Sequence, residues 1–123
     1  LMDVSLEIVR KDIFDLLPDY HDSFDYVLEQ TCFCAIHPSR RKEYENIVKG
    51  ILKIGGHLLG LWFPLDKDIA EGGPPYGISI EEVKSTFHSG WEIIKEEFSE
   101  HSIKPRKGRE KLVVFKKIGS GNE

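Results

Sequence analysis

The chain has only two cysteines, Cys32 and Cys34, in its 123 residues. Both stand in the run Thr31-Cys-Phe-Cys-Ala35. Read as a strand, that run points positions i and i+2 to one face, whereas a disulfide ordinarily joins separate segments; the expectation is two reduced, buried thiols. A four-ligand zinc site needs more Cys and His at regular spacing, so no metal site is expected. Reduced thiols fit a cytoplasmic protein. Long apolar runs are also lacking. The longest, Ile51 to Leu65, is broken by Lys53, Gly55, Gly56 and His57 and cannot span a bilayer. Asp3, Glu7, Arg10 and Lys11 break any apolar run at the start, so no signal peptide is expected there. Positive charge is short as well, with 17 Lys and Arg against 21 Asp and Glu and a net charge of −4. That balance argues against nucleic acid or an anionic membrane as partner. There is no internal repeat. The one Gly-x-Gly run, Gly119-Ser-Gly121, has no helix behind it and is no dinucleotide fingerprint.

What is present is the composition of an ordinary folded domain, 40% hydrophobic and 31% charged, and the length suits one domain. Its expected extent is 1–118, followed by a polar tail, 119–123. The chain opens on Leu1, which reads as a fragment or a processed chain, with Met2 as an alternative start.

Periodicity alternates between strand and helix. Leu6–Arg10 is a short strand candidate, and Phe24–Leu28 reads as a buried strand entering a Glu29-Gln30 turn. After Pro38, Ser39 is placed to cap a helix that buries Tyr44, Ile47, Val48, Ile51 and Leu52 on one face until Gly55-Gly56 stops it. His57–Phe63 is nearly continuous in apolar residues, as in strands covered on both faces. A long loop then runs from Leu65 to Ile78. Ser79 and Glu82 form a capping box for a helix burying Ile80, Val83 and Phe87. Trp91–Phe98 and Lys111–Ile118 read as a terminal antiparallel pair around a basic loop. The sum is an α/β layered fold.

Four segments, in order, carry a family resemblance. They are Lys11-Asp-Ile-Phe-Asp15; Phe24-Asp-Tyr-Val with Thr31-Cys-Phe-Cys-Ala-Ile-His-Pro38; Phe63-Pro-Leu-Asp66 with Gly72-Gly-Pro-Pro-Tyr-Gly-Ile-Ser79; and Pro105-Arg-Lys-Gly-Arg-Glu-Lys-Leu112. Together they resemble the later part of the thiol/halide methyltransferases, relatives of the thiopurine methyltransferases that use S-adenosylmethionine. The resemblance implies a Rossmann-like class I methyltransferase fold with sheet order 3-2-1-4-5-7-6. Strands 3 to 7 would be present and strands 1 and 2 missing, along with the glycine-rich loop and the ribose-binding acid those strands carry. It also implies a cofactor bordered by Asp12 and Ile13 at the adenine and by Glu29 and Gln30 at the methionine end. Relatives often carry Asp-Tyr or Asp-Arg where this chain has Glu29-Gln30. The acceptor would be a small thiol, halide or thiocyanate-like anion lined by Phe33, Pro75 and Tyr76. Without strands 1 and 2, strand 4 would have an unpaired apolar edge, open to self-association.

The chemistry so implied needs few motifs. Methyl transfer from a sulfonium is an in-line displacement at carbon, and soft anions need no general base, so no catalytic side chain is assigned. Plainer readings stand beside these. Asp12 is also a good turn cap and His37 a good turn residue. Glu29 and Gln30 also suit the polar end of a strand, Gly72–Tyr76 a tight crossing, and Lys104–Lys111 a solvated hairpin. A non-catalytic remnant or subunit that does not bind cofactor alone is the alternative to an enzyme.

Overall fold

The computed structural model describes residues 11–98 and 108–119. The strand expected over 6–10 and most of the basic loop before Gly108 lie outside them. The described elements are β1 (Phe24–Gln30), α1 (Arg41–Ile51), β2 (Leu52–Trp62), α2 (Ile80–Thr86), β3 (Trp91–Phe98) and β4 (Lys111–Lys117), with short 3-10 turns at Ile13–Asp15, Pro38–Arg40 and Ile69–Glu71.

The four strands form one sheet in the order β1-β2-β4-β3. β1 runs parallel to β2, while β4 is antiparallel to both β2 and β3. This is the order expected of strands 4-5-7-6 in the resembled fold. The register sets Leu28 beside Leu59 and Leu59 beside Val114.

Side-chain alternation divides the sheet into two unlike faces. Leu58, Trp62, Val113 and Phe115 point to one face and are fully buried. Both helices pack there, α1 through Tyr44 and Val48 and α2 through Val83, with Phe87 just beyond its end. Trp62 sits at the centre, its ring 5.4 Å from both Phe33 and Phe87. A buried ionic cluster ties α1 to β3, with Glu45 accepting from the Trp91 indole at 2.9 Å and pairing with Lys49 at 3.0 Å.

Several element boundaries differ from expectation. The α1 helix ends at Ile51, and Leu52 already takes an extended conformation. The glycines therefore do not stop the helix; they lie inside β2, where Gly55 adopts φ 88°. Ser39 is not the cap either. The His37 imidazole accepts from the Ser39 N–H at 3.2 Å and caps the 3-10 turn that leads into α1. At α2 the Ser79 hydroxyl does accept from Glu82 N–H, but the Glu82 carboxylate pairs with buried Arg41 at 2.6 Å.

The largest departure is β1. It was expected to be buried, yet Tyr26 is 68% and Leu28 73% exposed. Among the described residues no strand pairs with the outer edge of β1, and the side chains on its second face are left open.

Candidate active site

The carboxyl ends of β1 and β2 lie side by side because the strands are parallel, and the loops that leave them meet. Ligands of open α/β sheets bind at such ends.

The loop after β1 is built around a buried carboxylate. Glu29 belongs to β1, so the strand continues through the expected turn, and its side chain points to the helix-covered side with 2% exposure. Its Oε1 accepts from the Phe33 N–H at 2.6 Å and from the Tyr44 hydroxyl at 3.0 Å. Burial holds the Glu29 carboxyl above its usual range, against the opposing pull of those hydrogen bonds. Burial likewise raises the Cys32 thiol, helped by the nearby Glu29 charge, and the Tyr44 phenol for the same two reasons. A thiol so raised stays protonated and weakly nucleophilic at neutral pH. Thr31 turns the chain with φ 61°, unusual for a β-branched residue.

The loop after β2 closes against this one. The Tyr76 N–H donates to the Cys34 carbonyl at 2.8 Å, and the Tyr76 ring meets the His37 ring edge-on at 5.6 Å. Lys67 donates to the Pro75 carbonyl at 2.7 Å. Asp68 and Glu71 form a capping box on the 3-10 turn between them. Arg109, arriving from the loop before β4, stacks on Phe63 at 5.0 Å and pairs with Asp66 at 2.7 Å. Between the two loops lies a cavity of about 320 Å³ walled by Thr31, Cys34, Ala35, Phe63, Pro74 and Pro75. None of these six carries a carboxylate, imidazole or amine.

The residues singled out from sequence fall into three groups. Pro75 lines the cavity, and half-buried Tyr76 borders it through the Cys34 hydrogen bond. Phe33 is only 1% exposed, with its ring in the core between Tyr44, Trp62 and Phe87. Asp12 caps the 3-10 turn by accepting from the Phe14 N–H at 2.9 Å, and Ile13 packs partly against the core. Asp12 also lies near enough to Cys32 to act on its thiol electrostatically, so its turn adjoins the loop after β1. Gln30 is exposed at the end of that strand.

The cavity walls Thr31, Cys34, Ala35, Phe63 and Pro74 were not singled out as site residues. The Thr31–Ala35 run is a turn, not a strand; Cys34 is buried as expected and Cys32 only half-buried, while Phe33, which the resemblance placed at the acceptor, has its ring in the core. Cys34 is both buried and a wall residue. Among the described residues no group of His, Cys, Asp and Glu could hold a metal ion, and no helix is long and apolar enough to cross a membrane.

Asp12 offers a carboxylate and Ile13 an apolar surface on the turn that adjoins the loop after β1, and Gln30 offers an exposed amide at the end of that strand. That donor set fits one wall of a nucleoside-and-amino-acid cofactor site. No opposing wall exists among the described residues.

Comparison with known proteins agrees with this geometry. Residues 2–118 match the family model for thiopurine S-methyltransferase. The chain is 39% identical over 97 residues to a probable thiol methyltransferase 2 of Arabidopsis thaliana, covering 78% of this chain and 42% of that protein. It is 34% identical over 115 residues to thiocyanate methyltransferase 1 of the same plant, covering 89% and 47%. It thus spans about half the length of the curated relatives it matches. A methyltransferase structure from Methanosarcina mazei superposes with a TM-score of 0.70 at 14% identity, over 88% of this chain and 65% of that one. A Burkholderia thailandensis N-methyltransferase with bound S-adenosylhomocysteine superposes at 0.67 and 17% identity, over 90% and 50%. The sheet is that of the class I S-adenosylmethionine-dependent methyltransferases, and the chain belongs to the thiopurine S-methyltransferase family.

Proposed function

We propose that this chain forms the acceptor side of an S-adenosylmethionine-dependent methyltransferase acting on a small thiol, halide or thiocyanate-like anion. The observation that carries the reading is the cavity between the β1 and β2 loops, small, largely apolar and without a general base on its wall. Relatives named as thiol and thiocyanate methyltransferases support the acceptor class.

When bound, S-adenosylmethionine would supply an electrophilic methyl group on a positively charged sulfur, for in-line displacement by an acceptor lone pair with a neutral thioether as the leaving group. An anionic acceptor has no proton to lose, so a wall without a base suits it, whereas a neutral hard nucleophile would need one. The chain's task is then to position the acceptor and exclude water. Well-oriented reactants gain up to roughly 7–11 kcal/mol from such placement. Pro74 and Pro75 provide a wall with little backbone freedom. The Cys34 carbonyl, by holding the Tyr76 N–H, keeps the two loops closed on each other. Asp12 and Ile13 would border the adenine, and Glu29 and Gln30 the methionine end. Because the Glu29 carboxylate is already engaged by Phe33 and Tyr44, its part would be to shape the turn, leaving Gln30 to face the cofactor. Phe33 would act from behind the cavity.

A second reading is favoured by the edge of β1, which pairs with no further strand among the described residues. In that reading it is a remnant or subunit that does not bind cofactor alone. Self-association through the open β1 edge and a cytoplasmic location accompany either reading.

The test is isothermal titration of the chain with S-adenosylhomocysteine, followed by a methyl-transfer assay against thiocyanate, iodide and a small thiol. Binding in the micromolar range with turnover of these acceptors supports the enzyme reading. A folded chain that binds nothing refutes it for the chain alone and leaves the subunit reading.

A further inference from the structure

Arg41 opens α1, yet its side chain is buried, with only 3% of the residue exposed. A guanidinium keeps its charge at any ordinary pH, so burying it is costly unless its N–H groups are engaged. Two of its nitrogens are. Nη1 donates to the Glu82 carboxylate of α2 at 2.6 Å, and Nη2 donates to the Gly77 carbonyl at 3.1 Å. The flat face of the same group lies over the Phe33 ring at 4.7 Å. Nε is buried with no acceptor. The side chain thus forgoes one hydrogen bond while aiming two others at fixed targets. A buried ion pair adds little net stability over apolar side chains of similar volume, so geometry is the better account of such a residue.

Those targets belong to the two loops that wall the cavity. Gly77 follows Tyr76 in the loop after β2, and Phe33 precedes Cys34 in the loop after β1. Four consecutive residues of the second loop are held through their backbone. The Pro75 carbonyl accepts from Lys67, and the Tyr76 N–H donates to the Cys34 carbonyl. The Gly77 carbonyl accepts from Arg41, and the Ile78 N–H donates to the Pro64 carbonyl at 3.3 Å. Lys67, Cys34 and Pro64 lie in the site's own loops. Of these four anchors Arg41 alone comes from the helical layer, where Glu82 holds it from α2. The loop is pressed close at this point, since a Cβ at Gly77 would run into the Lys67 carbonyl.

We infer that Arg41 is a positioning residue, a clamp that fixes the Pro74–Ile78 wall of the cavity to α1 and α2. It does not line the cavity. It acts through Gly77 on Tyr76 and Pro75, and through Phe33 on the neighbouring Cys34. That the cavity takes the acceptor rests on the proposed function; the clamp itself does not. Lysine cannot replace it. An ammonium group can stay with Glu82, but it lacks the planar fork that reaches the Gly77 carbonyl at the same time and covers the Phe33 face.

The full chain and its Arg41→Lys variant are compared by amide hydrogen exchange under native conditions. The Tyr76 and Ile78 amides should exchange at least about tenfold faster in the variant, because a hydrogen bond from a charged donor is lost and the wall opens locally. The amides of β3, at the far end of the strand order from β1, should stay within about twofold, since their opening does not involve Arg41. Should the lysine variant not fold, Glu82→Ala replaces it. Glu82 is half-buried on α2, and its loss leaves the guanidinium without its counter-charge and frees it from Gly77. The same selective acceleration is expected. Wild-type exchange at Tyr76 and Ile78 in the folded variant overturns the inference, and so does an acceleration shared equally by β3. In a chain that turns over, Arg41→Lys should also raise the acceptor KM at least about fivefold while S-adenosylhomocysteine affinity stays within about twofold. Selective loosening with an unchanged acceptor KM upholds the clamp and counts against the cavity as the acceptor site instead.

Discussion

Replacing Glu29 tests whether its buried carboxylate holds the loop that walls the cavity. Glu29→Ala removes the acceptor shared by the Phe33 N–H and the Tyr44 hydroxyl, at 2.6 and 3.0 Å, and strands both donors in the core. Each buried donor left without a partner costs about 1–3 kcal/mol, so the variant should lose about 2–4 kcal/mol. That is a large share of the 5–15 kcal/mol typical of a domain. With a urea slope of about 1–2 kcal/mol/M the midpoint falls by about 2 M. Glu29→Gln keeps an acceptor oxygen but cannot ionise, and here the pH dependence decides. Burial raises the folded-state pKa of Glu29 above its ordinary value of 4.5. Between the unfolded and folded pKa values the folded state therefore binds more protons, and stability falls as pH rises through that window. The wild-type midpoint should thus be higher at acid pH within the window than at pH 7, by the Glu29 contribution. The Gln variant should lack that decline and approach or exceed the wild type at neutral pH. Urea titrations from pH 4.5 to 8, read by tryptophan fluorescence, measure both effects. An Ala variant within 0.5 kcal/mol of the wild type, or equal pH slopes for Glu and Gln, would refute the account of the loop.

Two further substitutions probe the core and the cavity. At Gly60 an added Cβ would run into the Trp62 ring, which Phe33, Phe87 and Phe115 hold in place; Gly60→Ala should cost about 1–3 kcal/mol by overpacking, read as a lower urea midpoint. Ala35 is exposed and lines the cavity. Ala35→Trp should leave the unfolding midpoint within about 0.5 kcal/mol of wild type while raising KM for the acceptor. Unchanged acceptor kinetics in an active enzyme would remove this cavity as the acceptor site.

Much of the fold was legible because local chemistry and pattern agreed. Tyr44, Ile47, Val48 and Ile51 are spaced for one helix face, and they form it. The apolar run around Leu58–Trp62 becomes the central strand, and the last two strands pair antiparallel as expected. Boundaries were less legible. Gly55-Gly56 resembles a helix stop in sequence, but Leu52 finds a fully buried place at the start of β2, and that burial outweighs local preference. The site was partly legible. Motif order located its two loops, yet the turn at Thr31 sends the Phe33 ring into the core, while Cys34 is buried as expected and also lines the cavity.

The sequence by itself determined the alternation of strands and helices, because period 3.6 and period 2 apolar patterns are local and each chooses its own backbone. It also determined the family, through loop residues in a particular order. Only the tertiary structure decided which apolar residues are covered. Leu28 and Leu58 look alike in a strand pattern, but α1 and α2 lie on one face of the sheet, so Leu58 is fully buried and Leu28 is 73% exposed. Burial depends on what packs against a face, and a strand's own residues do not encode whether that neighbour is present.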